Sequence, residues 1–278
     1  MTKLSKIVLT GAAGNLGHVL RAPLSALCDS LASVDIADLR TETQGNESFH
    51  KIDVAEMDLI APVIEGAEMV VHFSSIADER SFEELLRPNY LSAYNVWEAA
   101  HKAGVRRILY ASSVHAVGMH DTNAVIDLDA AHRPDTFYGL AKCFTEDLGR
   151  LYWEKRGLES VHMRIFSCTE EPQNVRALGT WLSYGDLTRM VHASIKAHTT
   201  GFSVVYGVSA NTRAPIDNSK ASHLGYIPQD NAEEWAESLM ASAAPADPQD
   251  PAQMKLGGPF ATVPLGESGV AQIKKMSG

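Results

Sequence analysis

The chain predicts an α/β fold, a doubly wound parallel sheet covered by helices on both faces, with a small C-terminal part for binding substrate. Three observations carry this reading. Short β-branched apolar runs alternate with longer segments of helical period. Gly11, Gly14 and Gly17 stand between the first apolar run and the first helical segment. Hydroxyl, imidazole and phenol side chains cluster after later runs, where the carboxyl ends of parallel strands open a ligand site.

Taken in order, strands are expected at 6–10 (KIVLT), 31–36 (LASVDI), 49–53 (FHKID), 69–75 (MVVHFSS), 106–113 (RRILYASS), 160–166 (SVHMRIF) and 202–207 (FSVVYG). Each is short, apolar and bounded by turn residues or by a helical stretch. Helices are expected at 15–28, 57–64, 81–103, 137–156 and 184–198, the last opened by Ser183 as a cap with Asp186 in its first turn. Pro23 lies inside the first helix, where its missing N–H and its ring predict a bend or a restart. Residues 1–240 read as a single catalytic domain, with substrate-binding elements mainly in 164–235. From 241 to 278 proline and glycine recur at short intervals, which reads as a C-terminal extension.

Composition narrows the function. The 278 residues are 45% hydrophobic and 21% charged, enough to bury one full core. A formal net charge of −10, with no basic cluster interleaved with aromatics, excludes nucleic acid as the expected partner. No apolar run approaches the length of a membrane span, and the start MTKLSKIVLTGAAG has no signal-peptide pattern, so a cytoplasmic protein is expected. Cys28, Cys143 and Cys168 are odd in number and lack CxxC spacing, which disfavours both disulfides and a metal site.

The loop TGAAGNLG, residues 10–17, follows the first strand and opens the first helix. Glycines there permit positive φ, close approach to a pyrophosphate and tight packing of helix on strand, while the helix N-terminus favours an anion. This is the dinucleotide-binding arrangement of a Rossmann-type sheet. Asp35 ends the second strand, where a carboxylate accepts bonds from the ribose hydroxyls and repels a 2′-phosphate; NAD is therefore expected, with Arg40 near enough to leave NADP open. Asp53 and Val54 end the third strand, placed either for adenine or for a turn. Asn89 sits in a long amphipathic helix after the fourth strand, with a structural or a cofactor-side role.

ILYASSVHAVG ends the fifth strand with Ser112, Ser113 and His115; FYGLAKCF then places Tyr138 four positions before Lys142, on one helical face. A phenol near pKa 10 is a poor base at neutral pH. A nearby ammonium and a positive nicotinamide should lower that pKa, so that Tyr138 can take a hydroxyl proton while Ser113 holds the oxygen and hydride leaves its carbon.

In this order, these motifs resemble the short-chain dehydrogenase/reductase superfamily, in its extended branch with the TGxxGxxG loop. RIFSCTEEPQNVRALGTWLSYGDLTRM, with ASSVHAVG and YGLAKCFTEDL, is similar to bacterial uronate dehydrogenases over residues 6–235. The resemblance implies NAD-dependent oxidation of galacturonate or glucuronate at the anomeric carbon to an aldarolactone. It implies cofactor contacts at Gly11, Asn15, Leu16, Asp35, Asp53, Val54, Lys142 and Cys168, with Tyr138 as base. Substrate contacts would be Ser113, His115, Ser167 and Arg176, the arginine gripping the uronate carboxylate bidentately. It further implies a homo-oligomer paired through helices 81–103 and 137–156. Two positions depart from the family: Val114 stands where it has an asparagine, and Ala77 where it has a serine. Each loss removes a sugar hydrogen bond of about 0.5–1.5 kcal/mol. Another anionic or neutral sugar, a nucleotide-sugar epimerase or dehydratase, and a non-catalytic NAD sensor are the rival readings; intact Tyr138 and Lys142 argue against the last.

Overall fold

The computed structural model describes residues 3–241, 243, 247 and 249–271. Among these, strands run as β1 (Leu4–Thr10), β2 (Cys28–Asp35), β3 (Glu47–Lys51), β4 (Met69–His72), β5 (Arg107–Ser113) and β6 (Glu159–Ile165). A short side pair, β7 (Ser167–Cys168) and β8 (Trp181–Leu182), precedes β9 (Phe202–Gly207). The main sheet has the order β3-β2-β1-β4-β5-β6-β9, parallel throughout. Strands β1 to β3 are laid down toward one edge and β4 onward toward the other, so the connections after β1 and β4 leave in opposite directions and open the crevice where ligands of such folds bind.

The helices are α1 (Asn15–Leu27), α2 (Met57–Ile64), α3 (Phe82–Leu85), α4 (Ser92–Lys102), α5 (Phe137–Arg156), α6 (Ala177–Thr180), α7 (Tyr184–Lys196), α8 (Ala236–Ala241) and α9 (Pro251–Met254). Successive strand residues face opposite sides, and the core divides accordingly. Ile7, Leu9, Met69 and Val71 pack with α1 and α7, through Leu20, Leu24, Met190 and Val191. Val8, Val34 and Val70 pack on the other face with α2, α4 and α5, through Ile60, Trp97 and Tyr152. That is why the central strands read as continuous apolar runs rather than as alternation.

Three expectations need correction. Helix 15–28 ends at Leu27, and Cys28 is the first residue of β2; α1 runs through Pro23 without a restart. Helix 81–103 is not one α-helix. Ser81 and Glu84 form a capping box for α3, but Pro88 has no N–H to give, and the turn over Leu86–Leu91 widens so that the Ser92 N–H reaches Arg87 O. Strand 69–75 stops at His72, since the Phe73 N–H still reaches Thr10 O and the chain then leaves the sheet.

The short elements β7, β8, α6, α8 and α9 have no counterpart in the sequence reading, because two to six residues carry no readable period. Of the 241–278 extension, residues 242, 244–246, 248 and 272–278 lie outside the described ones. Residues 249–271 return to the body: Leu256 N–H donates to His120 O and Gly257 N–H to Gly118 O, both at 2.9 Å.

Candidate active site

At the crevice, Gly11 adopts φ 75°, and a Cβ there would stand 2.6 Å from the Phe73 carbonyl carbon. A Cβ on Gly17 would stand 2.0 Å from Gly11 O, so glycine is required at both positions for loop, helix and β4 to close. The N-cap of α1 is Gly14, with no side-chain cap, so its first amides point unclaimed by side chains into a cavity of about 350 Å³. That cavity runs from Gly14, Asn15, Leu16 and Gly17 to Ser113, Tyr138, Lys142 and Cys168.

The remaining residues expected at the nucleotide end divide. Asp35 stands beside the loop, Oδ2 accepting from Ala13 N–H and Oδ1 from Ala37 N–H, each at 2.9 Å. Arg40 is exposed. Asp53 accepts from Ala55 N–H at 2.8 Å and pairs with Arg87 at 3.1 Å; Val54 is buried, its carbonyl accepting from Asn95. Asn89 is 3% exposed, accepts from Ile76 N–H at 2.9 Å and donates to Ile76 O at 3.0 Å. Asp53, Val54 and Asn89 do not line the cavity: the first closes a turn, and the last pins the loop after β4.

At the other end, β5 delivers Ser112 and Ser113 to opposite sides. Ser112 Oγ donates to buried Glu146 at 2.5 Å, which Arg164 also holds at 2.8 Å. Thr136 accepts from Gly139 N–H at 2.9 Å and starts α5, so Tyr138 falls in its first turn, hydrogen-bonded to Ser113. Lys142, one turn on, donates from Nζ to Ala111 O at 2.7 Å and to Ser75 Oγ at 3.3 Å, and lies 5.2 Å from the Tyr138 ring centroid.

Burial dominates the electrostatics of this pair. Burial pushes the Tyr138 phenol up to about 12, with Asp135 adding to the rise and the Ser113 hydrogen bond only partly offsetting it. Burial also brings Lys142 down to about 7, against the pull of Glu146. The expected lowering of the phenol rests on the positive nicotinamide as well as on the Lys142 ammonium, and burial by itself acts in the other direction.

The third part of the site is anionic in preference. Arg176, just before α6, donates from Nη1 to Ser167 Oγ at 3.1 Å and from Nη2 to Leu256 O at 2.5 Å. Burial lowers its pKa to about 10, partly countered by Asp135. Among the described residues no carboxylate lies within ion-pair distance of it. It faces a cavity of about 1000 Å³ that shares His115 and Phe166 with the smaller one and includes Val114 and Phe260. His115 Nδ1 is 2.8 Å from Asp135 Oδ2, and its ring lies 4.5 Å from that of Phe260. Ala77 lines the smaller cavity. Cys168 lines it too, its thiol raised to about 12 by burial.

Of the residues that sequence reasoning singled out, Gly11, Ser113, His115, Tyr138, Lys142 and Cys168 line the smaller cavity, and His115, Ser167 and Arg176 the larger one beside it. That reasoning missed Asp135, Glu79, Leu256 and Phe260. Their only signals are an isolated acid in a loop and GGPF, residues 257–260, which reads as a turn.

Comparison with known proteins agrees with this geometry. The uronate dehydrogenase of Pseudomonas putida is 39% identical over 260 residues, covering 94% of this chain and 97% of that protein. The crystal structure of a glucuronic acid dehydrogenase from Chromohalobacter salexigens superposes with a TM-score of 0.91 at 36% identity, covering 94% of this chain and 98% of that one. A mutant of the Agrobacterium tumefaciens uronate dehydrogenase complexed with NAD gives a TM-score of 0.90 at 36% identity, with the same coverage. The family model for NAD dependent epimerases/dehydratases matches residues 7–170, from β1 past the Tyr138–Lys142 helix to β7. The chain belongs to the NAD dependent epimerase/dehydratase family.

Proposed function

We propose that this protein is an NAD-dependent dehydrogenase that oxidises a uronate, galacturonate or glucuronate, at its anomeric carbon to the aldarolactone. One observation carries the choice of an acid substrate: a half-buried arginine without a carboxylate partner among the described residues, opening into a cavity that adjoins the Ser113–Tyr138–Lys142 group. A partly desolvated guanidinium with no counter-charge favours an anion, and an incoming carboxylate can take its remaining N–H groups bidentately.

The residues present fit the cofactor: an uncapped helix N-terminus for the pyrophosphate, a cavity running from it to Tyr138, and, beside the glycine loop, the Asp35 carboxylate for the ribose hydroxyls. Bound NAD supplies the hydride acceptor and, when oxidised, a positive charge near the phenol. Arg176 holds the substrate carboxylate, which fixes the ring so that its C1 hydroxyl meets Ser113 and Tyr138. Ser113 hydrogen-bonds that oxygen, and Tyr138, in the phenolate form that the positive charge of the oxidised cofactor would favour, would accept its proton as the C1–H pair leaves as hydride to the nicotinamide and the C1=O bond forms. Lys142 Nζ, 5.2 Å from the Tyr138 ring centroid, is the group beside the phenol that compensates its charge when protonated. His115, oriented by Asp135, offers its other ring nitrogen to the sugar.

Val114 and Ala77 favour a second reading within the class, since both replace polar groups by apolar ones and an anionic sugar other than a uronate would meet the same Arg176. Following the NADH absorbance band with galacturonate, glucuronate, a sulfonated hexose and neutral hexoses, each with NAD and NADP, separates the two. No turnover with either uronate removes the first.

The reading also includes a homo-oligomer. Leu91 and Tyr94, beside and on α4, and Leu140, Phe144 and Leu151 on α5 are 38–51% exposed, an apolar face suited to a partner helix pair. It includes action in the cytoplasm, in keeping with three free cysteines. Among the described residues no helix is long and apolar enough to cross a membrane.

A further inference from the structure

We propose that the C-terminal strap, residues 255–270, is the element that aims Arg176, and that Gly258 is a specificity-determining residue because only glycine lets the strap lie against the guanidinium. The inference rests on the reading of Arg176 as the carboxylate anchor, and extends it to a segment that the sequence marks only as proline- and glycine-rich.

The strap is held along its whole course. It enters through a Lys255–Asp121 ion pair at 2.5 Å, and Leu256 is 1% exposed. The Leu256 carbonyl accepts from Arg176 Nη2, while Ser167 takes Nη1. One N–H on each terminal nitrogen stays uncommitted among the described residues, the pair that a carboxylate engages bidentately. The next step of the chain touches both halves of the substrate end. A Cβ on Gly257 would stand 1.7 Å from Asp135 Oδ2, the oxygen that holds His115. Gly258 has φ 63°, and a Cβ there would stand 2.6 Å from Arg176 Nε and 3.0 Å from its Cζ. Phe260 then lies over the His115 ring.

The far end is latched to the loop after β4. Ser268 Oγ donates to Asp78 at 2.6 Å and Val270 N–H at 3.0 Å. Gly266 N–H donates to Glu79 Oε1 at 2.9 Å, and the other oxygen of this fully buried carboxylate accepts from the Tyr138 N–H at 2.9 Å. Seating of the strap and placement of the first turn of α5 thus share one side chain. Glu79 holds the Tyr138 N–H through its second oxygen, which a displaced strap does not release, so Ser113 and Tyr138 stay in place while the anion anchor turns away and the effect belongs in substrate binding.

The test uses Gly258→Ala and Asp78→Asn in the full chain, with kcat and KM for galacturonate and glucuronate, the NAD dissociation constant and the melting temperature. Gly258→Ala is expected to raise KM for the acid at least about tenfold while kcat at saturation and NAD affinity stay within about threefold. Asp78→Asn should raise the same KM in the same way by a smaller factor. An unchanged KM in a folded, NAD-binding Gly258→Ala protein overturns the inference, as does a fall in kcat with KM unmoved. Should Gly258→Ala not fold, Asp78→Asn decides by the same readout. A wild-type protein inert toward both acids instead refutes the uronate reading and takes this inference with it, whereas an active wild type with unaffected variants refutes the inference alone.

Discussion

Replacing Arg176 by methionine keeps an unbranched stem as far as the position of Nε and removes the guanidinium with its charge and donors. In the folded protein two N–H groups go to Ser167 Oγ and Leu256 O, and the rest face the larger cavity. A hydrogen bond to a charged group is worth about 1.5–3 kcal/mol, so losing a bidentate pair that water partly replaces should cost about 2–4 kcal/mol in transition-state binding. That is roughly 30- to 1,000-fold in kcat/KM for a uronate, and because the carboxylate is remote from the reacting carbon it should appear mainly in KM. Stability moves differently. Methionine forfeits two hydrogen bonds of about 1 kcal/mol each but removes a desolvated charge, so the melting temperature should stay within about 5 °C of wild type. Initial rates at the NADH band and a thermal melt measure both. A loss of less than about fivefold in kcat/KM toward both acids would refute the argument. So would a large drop in melting temperature with KM intact, which would make Arg176 a structural residue.

Tyr138→Phe deletes the proton acceptor, and turnover should fall by about 100- to 10,000-fold; NAD affinity, measured by titration, should hardly move. Asp35→Ser removes a carboxylate that repels a 2′-phosphate, an interaction of about 1–4 kcal/mol at partly exposed dielectric, and should raise the NADP-to-NAD ratio of kcat/KM at least about tenfold. Acid should destabilise the fold in two stages. Burial lowers His72 to about 3 and His162 to about 4, so between their ordinary 6.5 and those values only the unfolded chain binds their protons, and stability falls as pH falls. For Glu146, burial is outweighed by the His132 hydrogen bond and the Arg164 guanidinium, which hold the carboxyl well below 4.5. Its contribution, present above pH 4.5, is lost below it, with the same sign. Melting temperature should therefore decline from pH 6.5 downward and more steeply below 4.5; a flat profile from 6.5 to 4 would contradict the buried neutral histidines.

Much of this protein is determined by the sequence alone because the governing physics is local. Ile7, Val8 and Leu9 are apolar without alternation because β1 is covered on both faces, and a strand of that kind followed by TGAAGNLG already implies the helix N-terminus that cradles a pyrophosphate. Tyr138 and Lys142 share a face because a helix turns once in about four residues. Tertiary structure decided what depends on distant chain segments meeting. Asp53 turned to Arg87 and Asn89 to Ile76 once the segment 86–91 widened around Pro88. Burial raises the Tyr138 phenol and lowers the Lys142 ammonium, an effect of the surrounding packed chain that helical spacing does not carry. Leu256, Gly258 and Phe260 reached Arg176 and His115 from the far end of the chain, since no period in a proline- and glycine-rich segment encodes where it will lie. Proton and hydride chemistry is legible in local spacing, whereas the hold on the substrate belongs to contacts that only the packed molecule brings together.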